Sequence, residues 1–305
     1  MEEIKLRKKE KKVFVITGGE GFIGSNLIKR INLEKKNAKI ISIDNNLSKQ
    51  NNKIIPANKN KIIYLRGHTK DIKRILKKEK KIECIFHFGE FSRIVKSFEH
   101  HEKCFSSNHT GTLQVIKFCS ENKIKLIYSA SSSKFGNQGK DENLSPYSWT
   151  KSKNIELIKN YSKWFGLNYE IVYFYNVYGP GHIRKGDMAA VIGIFENCYL
   201  SNKPLTVIKP GTQKRDFTHV DDIINGVMSA WKKGLNGDFM LGTNRNTSVI
   251  DIAKLFNHPI VYIEEKPGER LSSTIPDLES QKKLGYKAKI RIEDYIRSFL
   301  NENKK

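Results

Sequence analysis

Thr17-Gly18-Gly19-Glu20-Gly21-Phe22-Ile23-Gly24 is the stretch from which the rest of the chain can be read. Four apolar residues, Val13-Phe14-Val15-Ile16, precede it and read as a buried strand. After it, Phe22, Ile23, Leu27 and Ile28 share one helical face that runs to about Ile31. The glycines therefore stand where a strand turns into a helix. Gly18 and Gly21 let the backbone turn tightly and approach a ligand, and Gly24 lets the helix pack close to the strand. The helix start offers unpaired N–H groups and a positive dipole end to a pyrophosphate. A second apolar run, Ile40-Ile41-Ser42-Ile43, ends at Asp44, twenty residues beyond Gly24. A carboxylate there accepts hydrogen bonds from an adenosine ribose and repels a 2′-phosphate. A glycine loop alone says little, but with its strand, helix and spaced acid it predicts a dinucleotide site.

Outward from this unit the chain alternates. A polar loop, Asn45 to Asn60, leads to strand Lys61–Leu65, a basic helix around Asp71–Lys80 and strand Ile82–Phe88. A helix over Asn108–Glu121, strand Ile124–Tyr128, a helix from Pro146 to about Phe165 and strand Tyr169–Tyr175 follow. Ser145 reads as the N-cap of the long helix and Pro146 as its first residue. The rhythm predicts an α/β fold, a doubly wound parallel sheet binding its ligand at the carboxyl ends of the strands. Beyond Pro180 it loosens into a helix near Ala189–Leu200, strand Leu205–Ile208, helix Val220–Trp231 and shorter pieces. These form a smaller, mostly helical lobe. The expected division is 1–179 for the nucleotide-binding part and 180–305 for the lobe, with a return of the chain to the sheet near 215–245.

With 38% hydrophobic residues, the 305-residue chain can bury a real core, and no apolar run is long enough to span a membrane. The charged start, Met1 to Lys9, lacks the apolar centre of a signal peptide, so a cytoplasmic protein is expected. Cys84, Cys104, Cys119 and Cys198 are scattered without metal-ligand spacing and read as reduced thiols, so no metal is expected. The net charge of +23 invites a nucleic-acid partner. The lysines, however, are spread along the whole chain, and basic runs such as Lys77-Lys78-Glu79-Lys80-Lys81 hold no aromatic residues. Solvated faces explain them better, and a positive field still favours a phosphate-bearing substrate.

Tyr147-Ser148-Trp149-Thr150-Lys151 carries the second piece of chemistry. On one helix Tyr147 and Lys151 share a face, and a nearby ammonium favours the phenolate, so Tyr147 can exchange a proton near neutral pH. Hydroxyls in Tyr128-Ser129-Ala130-Ser131-Ser132-Ser133 stand at the carboxyl end of the preceding strand, where the ligand crevice is expected.

These residues resemble the extended short-chain dehydrogenase/reductases that act on nucleotide sugars, and within them the UDP-glucose 4-epimerase-like group. Thr17–Gly24 is similar to the family's Rossmann glycine loop, and Asp44-Asn45-Asn46-Leu47-Ser48 to its ribose-binding segment. Phe86-His87-Phe88-Gly89 matches its His-Leu-Ala-Ala strand end, and Asn108-His109-Thr110-Gly111-Thr112 its Asn-x-x-Gly-Thr. Asn176-Val177-Tyr178-Gly179-Pro180 and Arg215-Asp216-Phe217 follow in family order. The resemblance implies NAD as cofactor, held by Gly18, Gly21, Phe22, Ile23, Gly24, Asp44, Asn45, His87, Phe88, Gly89, Asn108, Tyr147 and Lys151. It implies Tyr147 as acid/base, Lys151 as its activator and Ser131 as a proton relay. Asn176, Arg215 and Arg270, the last in Lys266-Pro267-Gly268-Glu269-Arg270, are implied to hold the diphosphate, while Ser92, Arg93, Ser131 and Ser132 border the sugar. Relatives are mostly homodimers, joined through the helices near Asn108–Glu121 and Tyr147–Phe165, whose outer faces here would present Cys119, Trp149 and Trp164.

The reaction class turns on substitutions. Family dehydratases carry a carboxylate after the catalytic Ser/Thr, where this chain has Ser132 and Ser133, and the cysteine of the 3,5-epimerase/reductases is also a serine here. What fits is 4-epimerisation of a UDP-sugar. The alternatives are a 4-ketoreductase, heptose 6-epimerase or dehydratase of the same fold, or, in a different class, a non-catalytic nucleotide-sensing or nucleic-acid-binding protein. Departures from the pattern are Gly67-His68-Thr69 in place of the adenine-binding Gly-Asp, Tyr173 in place of an arginine, and Glu90-Phe91-Ser92-Arg93 after Gly89. Glu90 or Arg93 is expected either to adjust sugar choice, Arg93 toward an acidic sugar, or to pair with the other in an outward salt bridge.

Overall fold

Val13, Val15 and Phe14, Ile16 alternate along the first strand and bury themselves in two different cores, which makes the molecule three-layered. The computed structural model describes residues 11–139, 142–265, 267, 268, 271, 272 and 277–304. Seven parallel strands form the sheet: β1 Val13–Thr17, β2 Lys39–Asp44, β3 Lys61–Arg66, β4 Ile82–His87, β5 Lys125–Ser131, β6 Tyr169–Phe174 and β7 Asp238–Leu241. Their order is β7-β6-β5-β4-β1-β2-β3, so the winding reverses between β1 and β4. The helices used below are α1 Phe22–Glu34, α2 Thr112–Glu121, α3 Pro146–Phe165, α4 Val191–Leu200, α5 Val220–Lys233 and α6 Ile292–Glu302.

One core packs Val13 and Val15 with Val115, Ile116 and Cys119 of α2 and Ile155 and Ile158 of α3. The other packs Phe14 and Ile16 with Leu27, Ile28 and Ile31 of α1 and Val220, Ile223, Ile224 and Val227 of α5. Segment 220–241 therefore belongs to the sheet's layers: α5 covers one face and β7 pairs in parallel with β6 from Asp238↔Ile171 to Leu241↔Phe174. This corrects the placement of helix Val220–Trp231 in the lobe. A third core holds the lobe together, with Phe195 of α4, Phe256, and Ile296 and Phe299 of α6.

Ser145 caps α3 as expected, its hydroxyl accepting from the Ser148 amide at 3.0 Å, and Gly166 ends the helix in the left-handed region. Other expectations shift. The basic helix over 71–80 shrinks to a single turn, Ile72–Ile75, because the lysine run beyond it has nothing apolar to bury. α2 is preceded by a π-helical turn, Phe105–Gly111. Cys119 does not lie on an outer face; it is fully buried against the sheet. Trp164 and Phe165, each 62% exposed, do stand outward at the end of α3. Among the described residues no helix is long and apolar enough to cross a membrane, and no cluster of metal-ligating side chains occurs.

Candidate active site at the strand switch point

Where β1 and β4 diverge, two glycines touch. A Cβ on Gly18 would lie 2.9 Å from the Gly89 Cα, and one on Gly89 would lie 2.8 Å from the Gly18 nitrogen. Gly18 takes φ +71°, and its amide donates to the Ile43 carbonyl at 2.8 Å, which pins the loop across the end of β2. At Gly24 a Cβ would meet the Gly18 carbonyl oxygen at 2.1 Å, so α1 begins directly against the loop. Asp44, at the end of β2 and 8% exposed, accepts from the Glu20 amide at 3.0 Å and the Asn46 amide at 2.7 Å. The carboxylate thereby ties the glycine loop to the loop after β2.

A cleft of about 660 Å³ opens from this point, a size suited to a small-molecule ligand. Gly18, Gly21, Phe22, Ile23, Gly24, Asp44, Asn45, Phe88 and Gly89 line one end. Ser92, Arg93, Ser131, Ser132, Tyr147, Lys151, Asn176 and Arg215 line the rest. Arg270 and Lys266 lie outside the described residues. His87 and Asn108 do not reach the cleft; both are fully buried behind its wall. Their expected direct contact with a cofactor is therefore corrected to a supporting place.

That supporting wall is a hydrogen-bond chain. The Thr17 hydroxyl accepts from the Phe88 and Gly89 amides at 3.1 and 2.9 Å, so its own proton goes to His87 Nδ1 at 2.7 Å. His87 is then the Nε2–H tautomer, assigned from the network, and donates to the Thr112 hydroxyl at 2.8 Å. Thr112 in turn donates to Glu90 Oε1 at 2.8 Å. Burial holds His87 neutral and its pKa down at about 4. Asn108 closes the strand-end loop with its side chain, accepting from the Phe91 amide at 2.7 Å and donating to the Phe91 carbonyl at 3.0 Å.

Lys151 stands one turn after Tyr147 on α3, and its ammonium donates to the Ser129 carbonyl at 2.5 Å and pairs with Glu90. The Glu90 side chain is 1% exposed, and its other oxygen also accepts from Tyr128 at 3.2 Å and Asn154 at 3.1 Å. Glu90 thus faces inward, and the expected outward pair with Arg93 does not form. The Arg93 guanidinium instead donates to the Met188 carbonyl, with Nε at 2.8 Å, and to the Ser92 carbonyl at 2.9 Å. These bonds tie Arg93 to the lobe segment around Met188.

Ser131 ends β5 and accepts from the Ser133 amide at 3.1 Å, leaving its hydroxyl proton available to the cleft. Asn176 donates to the Asp216 carbonyl at 3.1 Å, and Arg215, 8% exposed, is held from the next strand of the lobe. Asp216 gathers this corner, accepting from the Thr218 hydroxyl and the amides of Thr243 and Asn244. Burial raises its pKa, and those donors hold it back. Tyr173, in place of the family arginine, is buried with its hydroxyl on Asp238 at 3.1 Å. His68 caps a short turn by accepting from the Lys70 amide at 3.1 Å.

Two participants escaped the sequence reading. His182 lines the cleft edge-on to Phe22 at 5.9 Å and is braced by buried Glu196, which also binds Arg184 and Tyr295. Gln50 lines it too and ties the loop after β2 to the lobe through the Gly181 carbonyl at 3.1 Å. Nothing in their spacing marks either residue.

The residues present fit a dinucleotide. The cradle made by Gly18 and Gly24 is one a Cβ would fill, a carboxylate stands at the second strand end, and the Thr69 hydroxyl is buried beside them with no partner. A family profile described as the NAD dependent epimerase/dehydratase family matches residues 14–242. A putative UDP-glucose 4-epimerase of Methanocaldococcus jannaschii is 29% identical over 306 residues, covering 95% of this chain and 97% of that one. An ADP-L-glycero-D-manno-heptose-6-epimerase of Brachyspira hyodysenteriae is 27% identical, covering 95% and 94%. A UDP-glucose 4-epimerase structure from Thermotoga maritima superposes with a TM-score of 0.84 at 24% identity, covering 96% and 100%. With the profile spanning three-quarters of the sequence, the chain belongs to the NAD dependent epimerase/dehydratase family, and its cofactor is NAD.

Proposed function

We propose that the protein is a nucleotide-sugar 4-epimerase acting on a UDP-sugar. The observation that carries this reading is the cleft's hydroxyl set: Ser131, Tyr147 and Lys151 stand together, while Ser132 and Ser133 occupy the positions where an elimination needs a carboxylate. NAD, when bound, supplies a hydride acceptor and donor beside the sugar. Tyr147 takes the proton from the sugar 4-hydroxyl and later returns it. Lys151, a turn away, favours the phenolate and holds the nicotinamide ribose. Ser131 offers a hydroxyl to the same sugar oxygen. Asn176 and Arg215 hold the diphosphate, the arginine by charge-assisted hydrogen bonds. A sugar held through its diphosphate is free to turn and present its other face, and the cleft's volume leaves room for that motion. Gly18, Gly21 and Gly24 with the start of α1 receive the cofactor pyrophosphate, and Asp44 the adenosine ribose.

A homodimer joined through α2 and α3 belongs to the same reading, supported by the outward Trp164 and Phe165.

The test is to incubate the purified protein with UDP-glucose, adding no cofactor, and to follow the sugar protons by NMR. UDP-galactose is the expected product, since the cofactor is regenerated in each turnover. No conversion of UDP-glucose, UDP-N-acetylglucosamine or UDP-glucuronate by protein carrying NAD refutes the reading. A stoichiometric demand for NADPH would instead mark a ketoreductase.

A further inference from the structure

A carboxylate buried against the lysine of a Tyr-x-x-x-Lys pair changes what that lysine can do. Both side chains are buried at the wall of the cleft, Glu90 at 1% and Lys151 at 6% exposure. Glu90 takes the Lys151 ammonium on one oxygen and Thr112, Asn154 and Tyr128 on the other. A carboxyl that only accepts, from four donors, is an ionised one. Among the described residues it is the carboxylate paired with Lys151. Two of the three ammonium N–H groups are committed on the sheet side, to Glu90 and to the Ser129 carbonyl, which leaves one for the cleft.

We propose that Glu90 is the fixed counter-ion of Lys151: it orients the ammonium before any ligand arrives, and its charge sets the pH at which Tyr147 exchanges its proton. Glu90 is thus a positioning residue, and the inference rests on the acid–base role given to Tyr147 above. The other groups around the pair do not offset its charge. Tyr128 on β5 lies under the ammonium, ring centre at 4.9 Å, with burial keeping its phenol protonated. His87 on β4 is neutral, and burial pushes the Cys104 thiol up to about 11. The Arg93 guanidinium is tied to the Met188 carbonyl of the lobe. Without Glu90 the ammonium would act on Tyr147 unopposed and would itself lose its proton more readily. Both effects run the same way.

The test compares Glu90→Gln, Glu90→Asp, Lys151→Met and the Glu90→Gln/Lys151→Met double variant with the wild type. Gln keeps the shape and removes the charge. On whichever nucleotide sugar is turned over, both limbs of the kcat/KM pH profile of Glu90→Gln move to lower pH by about one unit or more, and Glu90→Asp moves them back toward wild type. A Glu90→Gln profile that superposes on wild type overturns the proposal. The melting temperatures test the pair without any sugar, so failure of the epimerase reading is distinguishable from failure of this one. Glu90→Gln strands a buried ammonium, so the double variant melts no lower than Glu90→Gln alone. Additive losses, or a double variant that fails to fold alongside Glu90→Gln, also overturn it.

Discussion

Gly24→Ala places a methyl group where the structure has backbone. Its Cβ would stand 2.1 Å from the Gly18 carbonyl oxygen, 2.8 Å from the Gly18 carbonyl carbon and 2.9 Å from the Gly19 Cα. None of these is the end of a flexible side chain, so α1 and the glycine loop must part by about 1 Å to reach ordinary contact. Overpacking of this kind costs about 1–3 kcal/mol. For a chain of this size that lowers the melting temperature by roughly 2–5 °C. The cofactor should lose more, because the N–H groups proposed above to receive its pyrophosphate are on the parts that move. Losing one charge-assisted hydrogen bond, about 1.5–3 kcal/mol, weakens NAD binding by about 10- to 100-fold. The assay is calorimetric titration of nucleotide-free protein with NAD, alongside thermal melting. Gly166→Ala is the control: it strains a left-handed helix end at φ +69° but meets nothing within 4 Å. It should melt lower by a few degrees and bind NAD normally. If Gly24→Ala binds NAD within about twofold of wild type, the contact between α1 and the loop does not govern the cofactor site.

Two further predictions follow from the wall and the lip of the cleft. His87 is buried neutral with its pKa down at about 4, against about 6.5 in the unfolded chain, so the unfolded state takes the proton first as the pH falls. Its contribution to stability is full above about pH 6.5 and is lost toward pH 4, about 3 kcal/mol in all. Urea midpoints measured from pH 7.5 to 4.5 should show this slope, and His87→Gln should flatten it; an unchanged slope refutes the assignment. Arg93→Ala should leave the ratio of activities on neutral and acidic UDP-sugars unaltered, because the guanidinium is spent on the Met188 carbonyl, while KM rises as that lip loosens. A selective loss of activity on UDP-glucuronate would restore Arg93 as a sugar-reading residue.

The parts legible in the sequence are those written in local rules. A glycine loop between a strand and a helix, an acid at the next strand end, and a Ser-Pro helix start each fix their own backbone, and they stand where their spacing put them. What was not legible depends on partners distant in the chain. Segment 220–231 has the pattern of any amphipathic helix, and only the uncovered face of β1 and β6 decides that it packs there. Glu90 read either as bordering the sugar, from its place after Gly89, or as half of an outward salt bridge with Arg93. Its inward turn is decided by Lys151, Thr112, Tyr128 and Asn154, which lie 22 to 64 positions away. Cys119 was misplaced for a simpler reason: a thiol has too little polarity to declare which face of a helix it takes.

The lobe is stitched from pieces that arrive at different times. Strand Leu205–Ile208 pairs with Ile260–Ile263, strand Lys214–Asp216 pairs with Asn246–Ser248, and the lobe's core is completed by Phe299 near the end of α6. The sheet, by contrast, has its last strand by Leu241. Its cores nevertheless take in Leu284, Tyr286 and Ala288, so on a chain emerging from the ribosome they have their residues by position 288, ahead of the Ile296 and Phe299 that complete the lobe. A truncation immediately before α6 would thus leave the sheet's cores their residues and take Ile296 and Phe299 out of the core of the lobe. A chain clipped there would keep the proposed coenzyme cradle while its substrate lobe lost part of its core.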